Sequence, residues 1–167
     1  MATITEMTEY LGKDRFVKFT NTDDYPELDS TTKDILKNNG VLSREFTYPF
    51  LQTDGKLKKL GNGLLQIGTG RMENPFCIDK NNKFVGYNLK TKKIRNINST
   101  LQKYIETLYT YRKYCVEISQ KEILGDYYKN HKKYAKKLQE MLEEVEPDIM
   151  KYETWNVIVF EIELGVM

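Results

Sequence analysis

Between Gly63 and Ile118 the spacing of apolar positions changes once, from the short runs of strands to the three-and-four spacing of a helix. Three β-compatible runs come first, at residues 64–68 (Leu-Leu-Gln-Ile-Gly), 76–80 (Phe-Cys-Ile-Asp-Lys) and 84–89 (Phe-Val-Gly-Tyr-Asn-Leu). Residues 79–83 (Asp-Lys-Asn-Asn-Lys) are polar and tolerate a left-handed backbone, which predicts a hairpin turn and an antiparallel pair. Strand side chains alternate, so Phe76 and Ile78 share one face while Cys77 and Asp79 share the other. A further run around Ile94 extends the meander. Residues 96–101 (Asn-Ile-Asn-Ser-Thr-Leu) then offer an Asn or Ser cap for a helix. Leu101, Tyr104, Ile105, Leu108, Tyr111, Cys115 and Ile118 recur at helical spacing, and so broad a stripe needs an apolar surface. The meander is the nearest one.

Upstream, Thr3-Ile4-Thr5-Glu6 has the form of a capping box, and Ile4, Met7 and Leu11 predict a short helix ending near Gly12. Residues 15–19 are compatible with a strand. Residues 20–30 carry Asp23, Asp24, Pro26, Glu27 and Asp29 and predict an acidic surface loop. Asp29 or Ser30 caps a second helix, with Ile35 and Leu36 inward and Gly40 at its left-handed end. Residues 46–51 are compatible with an edge strand, because Pro49 removes a ladder donor. Downstream, residues 121–145 predict a helix with Leu124, Tyr128, Ala135, Leu138, Met141, Leu142 and Val145 inward, a break near Gly125, and an end at Pro147. Residues 154–164 fit either a strand, from Val157 and Val159, or a helix, from Trp155, Ile158, Val159 and Ile162. The elements together predict an α+β fold: an antiparallel β-meander packed against several helices, as a single domain over residues 1–167.

Composition narrows the class. At 167 residues the chain can bury a core without disulfide or metal support. Nothing at the N-terminus has the form of a secretory signal, and no apolar run reaches the length of a membrane span, so a cytoplasmic location is expected. Cys77 and Cys115 are then expected as free thiols. The formal charge of +2 hides a segregation: residues 80–137 hold 15 basic and 4 acidic side chains, and residues 138–167 hold 1 and 8. The asymmetry predicts a surface with one basic and one acidic region, unless the folded chain interleaves them.

Candidate chemistry is sparse. One His131 and two distant cysteines do not make a metal set, so no metal and no cofactor are expected. His131 sits in Asn130-His131-Lys132-Lys133, among cations that oppose a general-base role, and is expected as an exposed surface residue rather than a catalytic one. Glu143 and Glu144 are adjacent and diverge around their helix. Gly68-Thr-Gly70 lacks the third glycine and the helix that phosphate binding requires. No enzyme activity is expected. Two features remain. Residues 127–137 interleave Lys129, Lys132, Lys133, Lys136 and Lys137 with Tyr127, Tyr128 and Tyr134, as a nucleic-acid-binding helix would, although a solvated lysine face with anchored tyrosines has the same pattern. The acidic segments, residues 23–29 and 140–153, are suited to a basic protein partner.

The succession Leu-Gln-Ile-Gly at 65–68, Asn-Pro-Phe-Cys-Ile-Asp at 74–79, a polar turn, Phe84-Val85, and Ile97-Asn98-Ser99-Thr100-Leu101 opening a helix resembles the SUKH superfamily, and most closely the bacterial immunity proteins of its fourth family. Residues 33–42 resemble that family's early helix and its Gly-Leu-Pro-like turn, with Ser43 where the family usually has proline. The tryptophan-bearing segment 155–165 resembles its closing helix, which favours helix there. The resemblance implies an immunity protein that binds a cognate polymorphic toxin, a nuclease or nucleic-acid deaminase, and neutralises it by stoichiometric occlusion. It implies that Gly68, Asn74, Pro75, Asp79, Asn98 and Ser99 build the fold. The expected partner-binding residues are Asp23, Asp24, Glu27 and Asp29 as an acidic rim, with Tyr25 as an aromatic anchor.

Overall fold

The computed structural model describes residues 1–43 and 51–167, so most of the strand expected at 46–51 lies outside the described residues. The protein is α+β, with antiparallel sheets and helices. Its chain divides into two compact units, Met1–Ile105 and Glu106–Met167.

The first unit opens with α1 (Ile4–Gly12), closed by the expected capping box: Glu6 N–H donates to Thr3 Oγ1 at 3.2 Å and Thr3 N–H to Glu6 Oε2 at 2.7 Å. Two short strands follow, β1 (Phe16–Val17) and β2 (Val41–Leu42), paired antiparallel around α2 (Ser30–Asp34). Asp29 caps α2, accepting from Thr32 N–H at 2.7 Å. The helix widens to a π-turn over Ile35–Asn39 and stops at Gly40.

The main sheet has the order β3-β4-β5-β6-β7, a continuous meander of β3 (Lys58–Lys59), β4 (Leu65–Thr69), β5 (Pro75–Ile78), β6 (Phe84–Tyr87) and β7 (Ile94–Asn98). Alternation works as expected: Phe76 stacks on Phe84 at 5.7 Å, and Phe84 meets Tyr104 at 4.3 Å. The opposite face gathers Leu64, Cys77 and Val85, with Leu60 and Tyr87 at its margin. Burial of each large side chain on these faces is worth about 1.5–3 kcal/mol. β3 had no signal in the sequence, because two exposed lysines carry no apolar alternation. Three of the residues expected to build the fold are placed to do so: Asp79 Oδ1 accepts from Asn81 and Lys83 N–H at 2.8 and 2.9 Å, Asn74 Oδ1 accepts from Leu89 N–H at 3.0 Å, and Asn98 is fully buried.

The helix after the meander, α3 (Leu101–Ile118), begins in the first unit and continues in the second. Thr100 caps it, its Oγ1 accepting from Lys103 N–H at 3.1 Å, in place of the Asn or Ser expected. The apolar stripe serves two surfaces rather than the meander alone. Tyr104 meets Phe84, whereas Tyr111 sets its ring against Trp155 at 6.3 Å. Tyr114 is buried where Tyr111 and Cys115 are only half-buried.

In the second unit, α4 (Lys121–Lys129) and α5 (His131–Val145) are separated at Asn130, and α6 (Glu153–Glu163) follows. The expected break near Gly125 is therefore displaced by five residues: Gly125 is accommodated inside α4, and the non-helical backbone of Asn130 (φ −130°, ψ 46°) ends it. Residues 153–163 are helical, burying Trp155, Ile158, Val159 and Ile162. α5 buries Tyr134, Ala135, Leu138 and Leu142, and α5 and α6 share the most extensive contact of this unit. Among the described residues no helix is long and apolar enough to cross a membrane.

Candidate functional site

The acidic loop is held in place by groups distant in sequence. Asn21 Nδ2 donates to Leu57 O at 3.0 Å while Leu57 N–H donates to Asn21 Oδ1 at 2.9 Å, and Tyr25 Oη donates to the same Leu57 carbonyl at 2.8 Å. At its far end Asn82, at the tip of the β5–β6 turn, accepts from Asp29 N–H at 2.9 Å and donates to Glu27 O at 3.4 Å. Leu28 is buried between these tethers. A segment of mostly polar residues, which in isolation would be mobile, is thereby tied at both ends.

The expected rim residues divide by what they do in the fold. Asp29 is the cap of α2, and half-buried Tyr25 is anchored inward through its hydroxyl with Lys59 Nζ 5.8 Å from its ring centre. Glu27 pairs with Lys59 at 3.2 Å, and Asp23 with Lys37 at 3.3 Å. Its own backbone N–H, followed by Lys59, holds the Glu27 carboxyl below the ordinary range. Asp24 is exposed and forms no ion pair among the described residues. Asp23, Asp24 and Glu27 thus present carboxylates outward, while Asp29 and Tyr25 shape the backbone beneath them. The signal for Asn21 was absent, since nothing local marks an asparagine whose partner lies 36 residues away.

The basic helix region resolves into a packed cluster. Tyr127 and Tyr134 are buried with rings 5.4 Å apart, and Tyr128 is exposed. Tyr134 Oη donates to Asp126 Oδ2 at 2.7 Å, Lys133 pairs with the same oxygen at 3.0 Å, and Asn130 Nδ2 donates to Asp126 Oδ1 at 2.8 Å. The Tyr134 bond, then Lys133, holds the Asp126 carboxyl below its ordinary value. Lys137 pairs with Glu117, and Lys136 with Glu140 at 3.7 Å. Lys129 and Lys132 stay exposed. A recess of about 550 Å³ beside this cluster is lined by Glu117, Ile123, Lys133, Tyr134, Lys136, Lys137 and Glu140, its cations facing carboxylates.

His131 departs from the exposed position expected of it. It is half-buried, its ring 5.5 Å from that of Tyr127 and tight against Gly165, and its buried Nδ1 has no hydrogen-bond partner among the described residues. Among the described residues no carboxylate orients it as a catalytic base would require. Cys77 is fully buried, and burial pushes its thiol up to about 12; Cys115 is half-buried. Among the described residues no group of three or more His, Cys, Asp or Glu side chains is placed to hold a metal ion.

The fold is that of an α+β protein with an antiparallel meander. Comparison with protein-family models, with curated proteins and with solved structures finds no match to this chain.

Proposed function

We propose that this protein is a SUKH-like immunity protein, which binds a cognate polymorphic toxin of nuclease or deaminase type in the cytoplasm and neutralises it by stoichiometric occlusion, with no bond made or broken. The observation that carries this reading is the tethered acidic loop. Asn21, Tyr25 and Asn82 hold its backbone, so Asp23, Asp24 and Glu27 form a carboxylate rim whose ordering cost is met on folding rather than on binding. A rim of this kind suits the basic surface that a nucleic-acid-processing toxin presents to its own substrate, and complementary charge there accelerates association. Its exposed ion pairs with Lys37 and Lys59 are weak, about 0–1 kcal/mol each, and exchange readily for a partner's cations.

The test is co-expression with the toxin encoded beside this gene. Cells survive with the wild-type protein, and the double variant Asp23→Lys, Asp24→Lys loses protection, with an association rate about 10–100-fold lower at low salt. Death of cells despite wild-type co-expression overturns the proposal. Tight, steeply salt-dependent binding of generic RNA or DNA by the protein, abolished by Lys129→Glu and Lys132→Glu, replaces it with the nucleic-acid reading of helix 127–137.

A further inference from the structure

Far from the acidic loop in sequence, residues 80–105 hold seven basic side chains and not one carboxylate. Four of these, Lys90, Lys92, Lys93 and Arg95, fall on the β6–β7 turn and on β7 itself, the last strand of the sheet. None of the four forms an ion pair among the described residues, in contrast to Lys133, Lys136 and Lys137 of the α4–α5 cluster.

The backbone beside them is open. Asn88 N–H donates to Lys93 O at 2.9 Å and Gly86 pairs with Arg95, so the bonded positions of the ladder are 88/93 and 86/95. Ile94 and Asn96 lie between the bonded positions and turn their N–H and C=O groups away from β6, along an edge with no neighbouring strand among the described residues. Both residues are exposed, Ile94 to 52%. Two asparagines stiffen the turn: Asn88 Oδ1 accepts from Lys90 and Thr91 N–H at 3.0 and 2.8 Å, and Asn74 Oδ1 holds Leu89 N–H. Arg95 lies across Gly86, where any Cβ would come within 2.9 Å of its Nε. Exposed Leu89 and Ile94 add apolar contact beside the cations.

From this we infer that the β7 edge is a second docking surface, one that receives an extended acidic segment of a partner protein as an added antiparallel or parallel strand. The main-chain groups of Ile94 and Asn96 supply the ladder, Ile94 and Leu89 contact alternate apolar side chains, and Lys90, Lys92, Lys93 and Arg95 face the intervening carboxylates. Lysines on an edge also discourage pairing with neutral or basic strands, so the same residues that keep copies of this chain apart select for an acidic one. A nucleic acid suits the site less well, since Tyr87, the ring opposite Ile94, is half-buried, and the exposed rings among the described residues, Tyr10, Tyr128 and Phe160, lie on helices rather than on this edge. The inference does not depend on the toxin or on the acidic loop.

The probe is a fluorescein-labelled decapeptide of alternating glutamate and valine, titrated with the full chain and read by fluorescence anisotropy. Saturable binding is expected at about 50 mM salt, weakening about tenfold or more at about 500 mM. Lys90→Glu with Lys93→Glu, and separately Asn96→Pro, which removes an outward N–H without touching a β6 bond, each weaken it about tenfold, whereas Asp24→Lys does not. A peptide of equal charge with proline in place of valine tests the strand requirement on the unaltered protein, so a variant that misfolds does not spoil the result. Equal binding of the proline peptide overturns the added strand. So does no binding at low salt, a stable dimer of the protein alone that excludes the peptide, or single-stranded RNA binding equally well to wild type and Asn96→Pro.

Discussion

Gly40 and Gly125 are both followed by nothing unusual in sequence, yet the structure predicts opposite responses to the same added methyl group. Gly40 has φ +83° and ψ −166°, a backbone region that only glycine occupies without strain. A Cβ there would come within 2.3 Å of Val17 O and 2.8 Å of Lys18 N. Relief requires a shift that loosens the 2.7 Å bond from Gly40 N–H to Ile35 O, or the β1–β2 pair beside it. Strain of about 1–3 kcal/mol and one or two backbone bonds near 1 kcal/mol each put Gly40→Ala at about 2–5 kcal/mol of lost stability. Gly125 stands inside α4 with nothing within 4 Å of an added Cβ. There alanine restricts the unfolded chain and suits the helix, so Gly125→Ala gains about 0.5–1 kcal/mol. Urea unfolding followed by far-UV circular dichroism, with Trp155 fluorescence for the second unit, measures both. A loss under about 1 kcal/mol for Gly40→Ala, or destabilisation by Gly125→Ala, would refute the steric reasoning.

Other consequences are equally direct. Leu108, 3% exposed, should cost about 2–5 kcal/mol when cut to alanine, measured by the shift of the Trp155 unfolding midpoint; a near-neutral result means this face of α3 is misassigned. Asn82→Ala removes both bonds that Asn82 makes to the far end of the acidic loop and places alanine at φ +59°, so the Asp29 amide should exchange with solvent about tenfold faster or more by NMR hydrogen exchange; unchanged protection means that end of the loop is held without Asn82. In a Cys115→Ser background, Cys77 should resist an aromatic disulfide reagent in the native protein and react within seconds once unfolded, because burial withholds the thiolate. Burial, then Glu146, pushes the Tyr152 phenol from 10.0 up to about 12. Its folded pKa is raised, so its contribution to stability is complete below pH 10 and disappears as pH rises through 12; Tyr152→Phe should flatten the stability profile in that window alone, as read by thermal melts across pH.

The meander and the elements upstream of it obey short-range rules. The Asp79 turn, the Thr3–Glu6 capping box, the Asp29 cap and the Gly40 stop were all legible, because each depends on residues within a few positions of one another. Where one short-range signal competed with another, the reading slipped. Gly125 looked like the break, but a single glycine costs a helix only about 1 kcal/mol, and packing around Tyr127 and Tyr134 keeps it helical until Asn130. The His131 prediction failed for a related reason: its lysine neighbours face solvent, while its own position at the start of α5 turns it toward Tyr127 and Gly165.

By itself the sequence determined the α+β class, the order of the meander strands and its leading helix, and the acidic character of residues 23–29, since periodicity, turn chemistry and charge are local properties of a chain. Only the tertiary structure decided which charged side chains are committed to neighbours within the fold. Asp29 was drawn into a helix cap, Tyr25 into a bond with Leu57, and Lys133, Lys136 and Lys137 into ion pairs, while Lys90, Lys92, Lys93 and Arg95, on the β6–β7 turn and β7, form no ion pair among the described residues. The physical reason is that a charge is free or committed according to what lies within about 4 Å of it, and those neighbours come from segments tens of residues away that no local pattern encodes.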